Sequence, residues 1–448
     1  MKKWKLSLAS LFTLSLLTVG CSNNEVGESG GDVGSTKNEE IKLSMWVHVS
    51  EDTVEGRAYK MRADAFNQQY DGQYEVKVEF IARGGGGTGY DDKLNASLTT
   101  NTLPDVFTID GPNTSAYAKS NVLLKLDDYI SEESLNGYVA TGLEQGKYND
   151  GIYSLPIQES TCVIYYNKDM FVEAGIINSV DTAEEDLGIT VQNPWTFEEF
   201  EEISQKLVDT FKKPAIDLHL GSQDEWITYA LTPFVWTSGG DIVSEDGLTA
   251  TGYFNQDGTV KGLSYLQELV QSGISTTTPE ENAFEVGTYP MSLSSSWTVP
   301  ILNVTYKDQV PNWGVLPYPV GDSGDLFAPT GSWAFVGAQT TKNPAAVATL
   351  VEWMTNDEST TLVTEATGLL PARTSVLEEN TKYAEGPYQV MAEQLLVGGK
   401  NRPKSVGYPE VTFSFQQAVD RITNGQDVLE TVTQLATQLD VKLERHKR

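Results

Sequence analysis

The chain has 448 residues, 39% of them hydrophobic, enough for a large buried core in two to three domains of roughly 150 residues each. Acids outnumber bases 62 to 31, a formal net charge of −31, which disfavours nucleic acid and anionic lipid headgroups as partners because both need a cationic surface. Two cysteines and three histidines are too few for an ordinary zinc or copper site, so no metal and no cofactor are expected.

Lys2, Lys3 and Lys5 precede a mostly apolar run over 6–19, too short for a membrane span, and residues 1–20 read as an export signal. The ending Leu17-Thr18-Val19-Gly20-Cys21 resembles a bacterial lipobox, in which the cysteine is lipidated and opens the mature protein. Thr18 departs from the usual aliphatic residue, and a plain cleaved signal with an incidental Cys21 is the alternative. Residues 21–40 continue as a Ser, Asn, Gly and Glu-rich tether with a typical reach of roughly 25 Å. Nowhere else do about 20 apolar residues run together, so lipid would be the sole membrane attachment, and Cys162 would have no partner.

The body opens with strand–helix alternation. Residues 43–49 alternate as a strand, a helix fits 52–69, Asp71-Gly72 turns the chain, and 74–81 alternates again with Val76, Val78 and Phe80 on one side. A second helix fits 90–100 and a third strand 105–109, which together imply an α/β architecture with a parallel sheet. Further on, Thr196 and Glu199 form a capping box for a helix with Phe197, Phe200, Ile203, Leu207 and Phe211 inward, stopped by Pro214. Another helix fits 259–272, closed by Gly273, and Pro344 starts one through 354. Residues 241–258 and 320–325 read as turn-rich loops.

Some patterns mislead. Gly84-x-Gly86-x-x-Gly89 matches a dinucleotide fingerprint, but four consecutive glycines fit many spacings and follow the second strand; a loop is the simpler reading. Acid pairs such as Asp91-Asp92 cannot reveal the carboxyl separation a glycosidase needs. No G-x-S-x-G, H-E-x-x-H or P-loop occurs. Asn255-Gln256-Asp257-Gly258 lacks the downstream ligands of a calcium loop, and Tyr165-Tyr166 reads as core packing.

Residues 151–170, with Gly-Ile-Tyr-Ser-Leu-Pro leading to Tyr-Tyr-Asn-Lys-Asp, resemble a signature of the extracellular solute-binding proteins of ABC sugar importers, the family related to maltose-binding protein. The likeness continues in order. Leu103-Pro104-Asp105-Val106 matches the family's Pro-Asp-Val strand; Pro194 to Phe200 its Pro-x-Thr-Trp-x-Glu-Phe segment; and Phe284-x-x-Gly287 through Met291 to Trp297 its Phe-x-x-Gly…Trp segment. Gly331-Ser332-Trp333 is similar to its Gly-rich return, and Gly368 to Arg373 to its Gly-x-Leu-Pro-x-Arg turn. Tyr289-Pro290 and Ser296 depart from the pattern. The resemblance implies a two-lobed type II periplasmic-binding-protein fold, with hinge strands crossing near 154–162, 291–297 and 328–335. It assigns 41–157 plus 297–330 to the N-terminal lobe and 158–296 plus 331–448 to the C-terminal lobe.

A sugar offers apolar C–H faces and a belt of hydroxyls, so its site needs flat aromatic rings beside planar polar groups. In open α/β sheets ligands lie beyond the carboxyl ends of strands, which points to Trp46, His48 and Asp110. The crossovers add Glu159, Trp297, Gly331, Ser332 and Trp333; Trp226, Tyr229 and Trp236 form an aromatic group in the second lobe; Arg373 closes the family-like turn. Trp195, Trp313 and Trp353 read as packing. The expectation is a monomeric, non-enzymatic receptor, lipid-anchored on the extracytoplasmic face of the cell membrane of a Gram-positive cell, passing a carbohydrate to ABC permease subunits. The alternatives are a non-sugar ligand (peptide, polyamine or polyol phosphate) and a secreted glycoside hydrolase.

Overall fold

A computed structural model describes residues 39–83, 89–331 and 333–447. The signal, Cys21, most of the tether, the glycines at 84–87 and Ser332 lie outside the described residues.

The first strand, Ile41–Val47, buries Leu43, Met45 and Val47 while Lys42 and Ser44 face outward, the period-two pattern of a half-covered strand. It ends two residues before the expected boundary. Thr53 caps the helix Val54–Gln69 by accepting from the Gly56 N–H at 2.9 Å. A side chain at Gly56 would put a Cβ 2.0 Å from the Ser50 carbonyl oxygen, so the tight entry into that helix needs glycine. Tyr74–Phe80 and Val106–Asp110 pair parallel on either side of the first strand. Trp333–Gly337 and Leu155–Pro156 complete a five-stranded sheet in antiparallel sense.

The second sheet has four strands in the order Trp313–Leu316, Cys162–Asn167, Met291–Ser295, Ile216–Asp217. Every residue of its two central strands is buried, because both faces are covered. Cys162, Ile164 and Tyr166 enter one core with Phe200, Phe234 and Leu266; Val163 and Tyr165 enter another with Leu302 and Met391. The expected capping box opens Phe197–Phe211, with both reciprocal bonds formed. Asp257–Gln271 begins two residues earlier than the periodicity suggests. The α/β two-lobed architecture is as expected.

The division of the chain between lobes needs correcting. Trp313–Leu316, assigned above to the N-terminal lobe, pairs with Cys162–Asn167 in the second sheet. Trp333–Gly337, assigned to the C-terminal lobe, pairs with Val106–Asp110 in the first. The helices Pro344–Thr355 and Asp357–Thr367 follow it, packing on the first lobe through Val347, Leu350, Met354 and Val363. Residues 291–297 do not cross; Met291–Ser295 stays in the second sheet. The chain passes between sheets at 156–162, at 316–333 and after 367. These passages are tied together where Gln158–Glu159 pairs with Leu370–Pro371 and Ala328–Thr330 with Gly399–Asn401. Local motifs mark where a hinge strand lies, but side-by-side hydrogen bonding decides which sheet receives the next strand.

Candidate functional site

One buried arginine joins the lobes. Arg402 follows the Gly399–Asn401 strand and donates from Nη1 and Nη2 to the two Asp110 carboxylate oxygens at 2.9 and 2.8 Å. Its Nη1 also donates to Glu225 Oε1 at 2.8 Å. Asp110 ends a strand of the first sheet, whereas Glu225 stands immediately before the second-lobe helix Trp226–Trp236. The Thr412 hydroxyl donates to Glu225 Oε2 at 2.7 Å, and Tyr408 also donates to this carboxylate. Burial pushes the Glu225 carboxyl up, and the Arg402 charge opposes that shift. Burial alone would weaken the guanidinium's hold on its proton; Asp110, Tyr408 and Glu225 reverse that and keep it charged. Glycine at 331 permits the approach, since a Cβ there would lie 3.0 Å from both Arg402 Nη2 and the Tyr229 ring.

Around this junction stands a second-lobe aromatic wall. Trp226 and Tyr229 share a helix face at i, i+3 spacing, with ring centroids 6.2 Å apart. Trp297 lies edge-to-face with Trp226 at 6.3 Å and offset-stacked with Tyr229 at 6.4 Å, and it is 36% exposed. Ser160 donates to the Gly331 carbonyl at 2.8 Å, so the 2.8 Å bond between Tyr229 and Ser160 has the phenol as donor. That fixes the ring.

His219, in the left-handed region at φ 53°, meets the edge of Trp226 at 5.2 Å. Its Nδ1 lies 3.3 Å from Asp217 Oδ2 and its Nε2 3.3 Å from the Ser292 hydroxyl. The connectivity is that of a hydrolytic triad, but Ser292 is 2% exposed inside a strand covered on both faces, out of reach of a substrate carbonyl. The arrangement orients an imidazole instead.

The first lobe contributes a different wall. Trp333, the register partner of Asp110, stacks on His48 at 3.5 Å and 5°, and the Arg83 guanidinium lies 4.8 Å from its ring centre. His48 is buried, and burial first, then the Arg83 charge, pushes its pKa well down. Glu55, 3.6 Å away, is itself pushed up by burial, opposed by the Tyr59 hydroxyl and the Arg83 charge. Trp46 is covered by the Lys93 ammonium at 4.1 Å.

Glu159 lies in the crossing segment, 1% exposed. Burial pushes its carboxyl up to about 8, so at neutral pH it is mostly protonated and can donate. Its Oε2 has no hydrogen-bond partner among the described residues.

Of the residues singled out in the sequence, Asp110, Trp226, Tyr229, Trp297, Gly331 and Trp333 thus gather around Arg402, with His48 behind Trp333. Trp236 and Arg373 do not join them. Trp236 is sealed at the far end of its helix, 2% exposed, with Lys400 over its ring at 4.7 Å. Arg373 is held by Asp357 at 2.6 Å, the Ser134 carbonyl at 3.0 Å and the Tyr138 ring at 4.3 Å, a structural clamp. Sequence reasoning missed Arg402, Glu225, Arg83 and His219. No local sequence signal marks them; Arg402 is singled out only by its tertiary contacts. Among the described residues, no cluster of His, Cys, Asp and Glu is placed to hold a metal, and no helix is long and apolar enough to cross a membrane.

Residues 50–361, more than half of the chain, match the model of the bacterial extracellular solute-binding protein family, and the chain belongs to that family. It is 23% identical over 415 residues to a maltooligosaccharide ABC transporter solute-binding lipoprotein of Streptococcus pneumoniae R6, covering 88% of this chain and 85% of that one. The cyclic alpha-maltosyl-1,6-maltose binding protein of Arthrobacter globiformis superposes with a TM-score of 0.74 at 22% identity, over 90% of this chain and 99% of the other. UgpB of Mycobacterium tuberculosis, solved with glycerophosphocholine, gives 0.73 at 20% identity, over 91% and 99%. At such identities the structural likeness establishes the fold.

Proposed function

We propose that this protein captures a carbohydrate, most simply an oligosaccharide, between the two aromatic walls and delivers it to an ABC permease. In this reading Cys21 carries the lipid that holds the protein on the extracytoplasmic face of the membrane. The observation that carries the reading is Trp297, an exposed ring offset-stacked on Tyr229 beside the Asp110–Arg402–Glu225 bridge. A ring face open to solvent next to paired charged groups suits a ligand with C–H faces and hydroxyls. The relatives named for maltooligosaccharide and galactooligosaccharide binding support the same class. Ligand contacts from both lobes would favour the closed arrangement, because a ligand shifts a conformational equilibrium by its differential affinity. Two carboxylates here are engaged by Arg402, which supports binding over glycoside hydrolysis.

Calorimetric titration with maltooligosaccharides, galactooligosaccharides, glycerophosphocholine and a tripeptide tests the reading. Saturable binding of an oligosaccharide, recovered intact afterwards, is the expected result. Binding of the peptide or the phosphodiester alone would replace the ligand class while leaving the receptor role; cleavage of the sugar would replace the role itself.

A further inference from the structure

The segment 401–404 leaves the strand Gly399–Asn401 and is bonded to the first lobe through three of its four side chains. Asn401 donates from Nδ2 to the Thr141 carbonyl at 2.9 Å, Arg402 holds the Asp110 carboxylate through two bonds, and Lys404 pairs with Glu144 at 2.9 Å. Lys119 adds a bond in the other direction, donating to the His446 carbonyl. Thr141 and Glu144 lie on the helix Ala140–Gln145, whose Leu143 packs on the first-lobe core. Lys119 ends the helix Thr114–Lys119, whose Ala118 packs with Phe107 and Ile109 of the first sheet.

The same segment is anchored in the second lobe. Ser405 donates to the Gly247 carbonyl at 2.6 Å. The helices that follow, Tyr408–Thr423 and Val428–Leu443, bury Val411, Phe415 and Leu443 in the second-lobe core. Between Arg402 and Lys404 stands Pro403, whose ring fixes its own φ at about −65° and steers the preceding residue into extended backbone, so the segment is stiff.

These contacts differ from core packing in being releasable. All are polar and can be exchanged for water, whereas buried apolar contacts cannot. Lys404 and Glu144 are well exposed, and such a pair is weak by itself. The strong member is Arg402, 4% exposed and bidentate on Asp110. Releasing Asp110 does not strand its charge, because Arg402 keeps Glu225 within the second lobe. Every one of these bonds joins groups of the chain itself, so they act with or without a ligand. Parting of the lobes about the crossing strands has to lengthen bonds made between them.

We propose that 401–404 is a releasable strap that holds the lobes at their present angle through Asp110, Thr141 and Glu144, and lets go when the lobes part. This rests on the lobe closure inferred above. Such a strap raises the share of molecules already arranged to touch a ligand from both sides, and apparent affinity rises with that share.

Small-angle scattering of the full chain, dialysed into sugar-free buffer, tests it. Asp110→Asn turns the interlobe carboxylate into a neutral acceptor and leaves Arg402 its Glu225 partner. Lys404→Glu faces Glu144 with a like charge. Each is expected to raise the radius of gyration, the double variant most, while Lys404→Glu combined with Glu144→Lys returns it towards the parent's. Lys261→Glu, which breaks an ion pair with Asp322 inside the second lobe, leaves it unchanged. Each variant still melts in one cooperative transition, so expansion is not unfolding. A parallel maltotriose titration reads the strap as an affinity roughly two- to fivefold weaker in Lys404→Glu and recovered in the charge swap. The strap is overturned if Asp110→Asn with Lys404→Glu scatters like the parent, or if Lys261→Glu expands the molecule as much. Expansion without maltotriose binding supports the strap and counts against the carbohydrate reading alone.

Discussion

The two aromatic walls use similar residues for opposite ends. In the first lobe, Trp333 has a histidine stacked against it and a guanidinium over its ring, and Trp46 lies under a lysine. These rings are occupied by the protein. In the second lobe, Trp226, Tyr229 and Trp297 touch through edges and offsets, and Trp297 keeps much of its surface free. Ring availability therefore separates the two walls, and the residue type alone does not. In the proposed reading the first wall would contribute shape and rigidity, the second the stacking surface.

Removing the arginine between the walls gives the largest expected effect. Arg402→Met leaves the Asp110 and Glu225 carboxylates facing each other without their cation, and breaking a buried pair in this way costs about 3–5 kcal/mol. Chemical denaturation measures it. A loss below about 1 kcal/mol would mean that the carboxylates relax into solvent and that the junction is not a structural tie.

The comparison itself is sharpened by truncating one tryptophan from each wall. Trp297→Ala is expected to weaken ligand binding by roughly tenfold or more, a loss of at least about 1.4 kcal/mol, with little change in Tm. Trp333→Ala is expected to cost stability instead, about 3 kcal/mol, as a packed ring is replaced by a gap beside His48. If the two variants show the reverse pattern, the roles given to the walls are exchanged.

A further effect concerns pH. Glu159 titrates near 8 when folded against an ordinary value of 4.5, so the folded protein binds its proton more tightly than the unfolded chain. Its contribution is therefore complete below about pH 4.5 and is lost as pH rises towards 8. Glu159→Gln, which stays neutral, should flatten this part of the Tm-against-pH curve and exceed the parent's Tm at pH 8. His48 acts in the opposite direction: its lowered pKa costs stability as pH falls below 6.5. A double variant combining Glu159→Gln with a neutral isostere in place of His48 would separate the two slopes.

Much of this was readable from local pattern. The alternation read over 43–49 falls within two residues of the strand formed, and the Thr196 to Glu199 capping box opens the expected helix, because period and capping chemistry are properties of neighbouring residues. The order of family-like motifs also carried the two-lobed architecture. What was not legible were relationships across the sequence: that 333–337 joins the first sheet, that Trp236 is sealed while Trp226 is not, and that Arg373 clamps Asp357 while Arg402, absent from the sequence reading, holds Asp110 and Glu225. Arg402 lies 292 positions from Asp110 and 177 from Glu225, and no periodicity spans such distances.

By itself, then, the sequence determined the kind of protein: strand and helix periods and an ordered set of turns belonging to a solute-binding family. Tertiary structure alone decided which aromatics are open and which carboxylates share a cation. Exposure and pairing depend on what packs against a residue from elsewhere in the chain, and that is fixed only when the two sheets and their crossing strands come together.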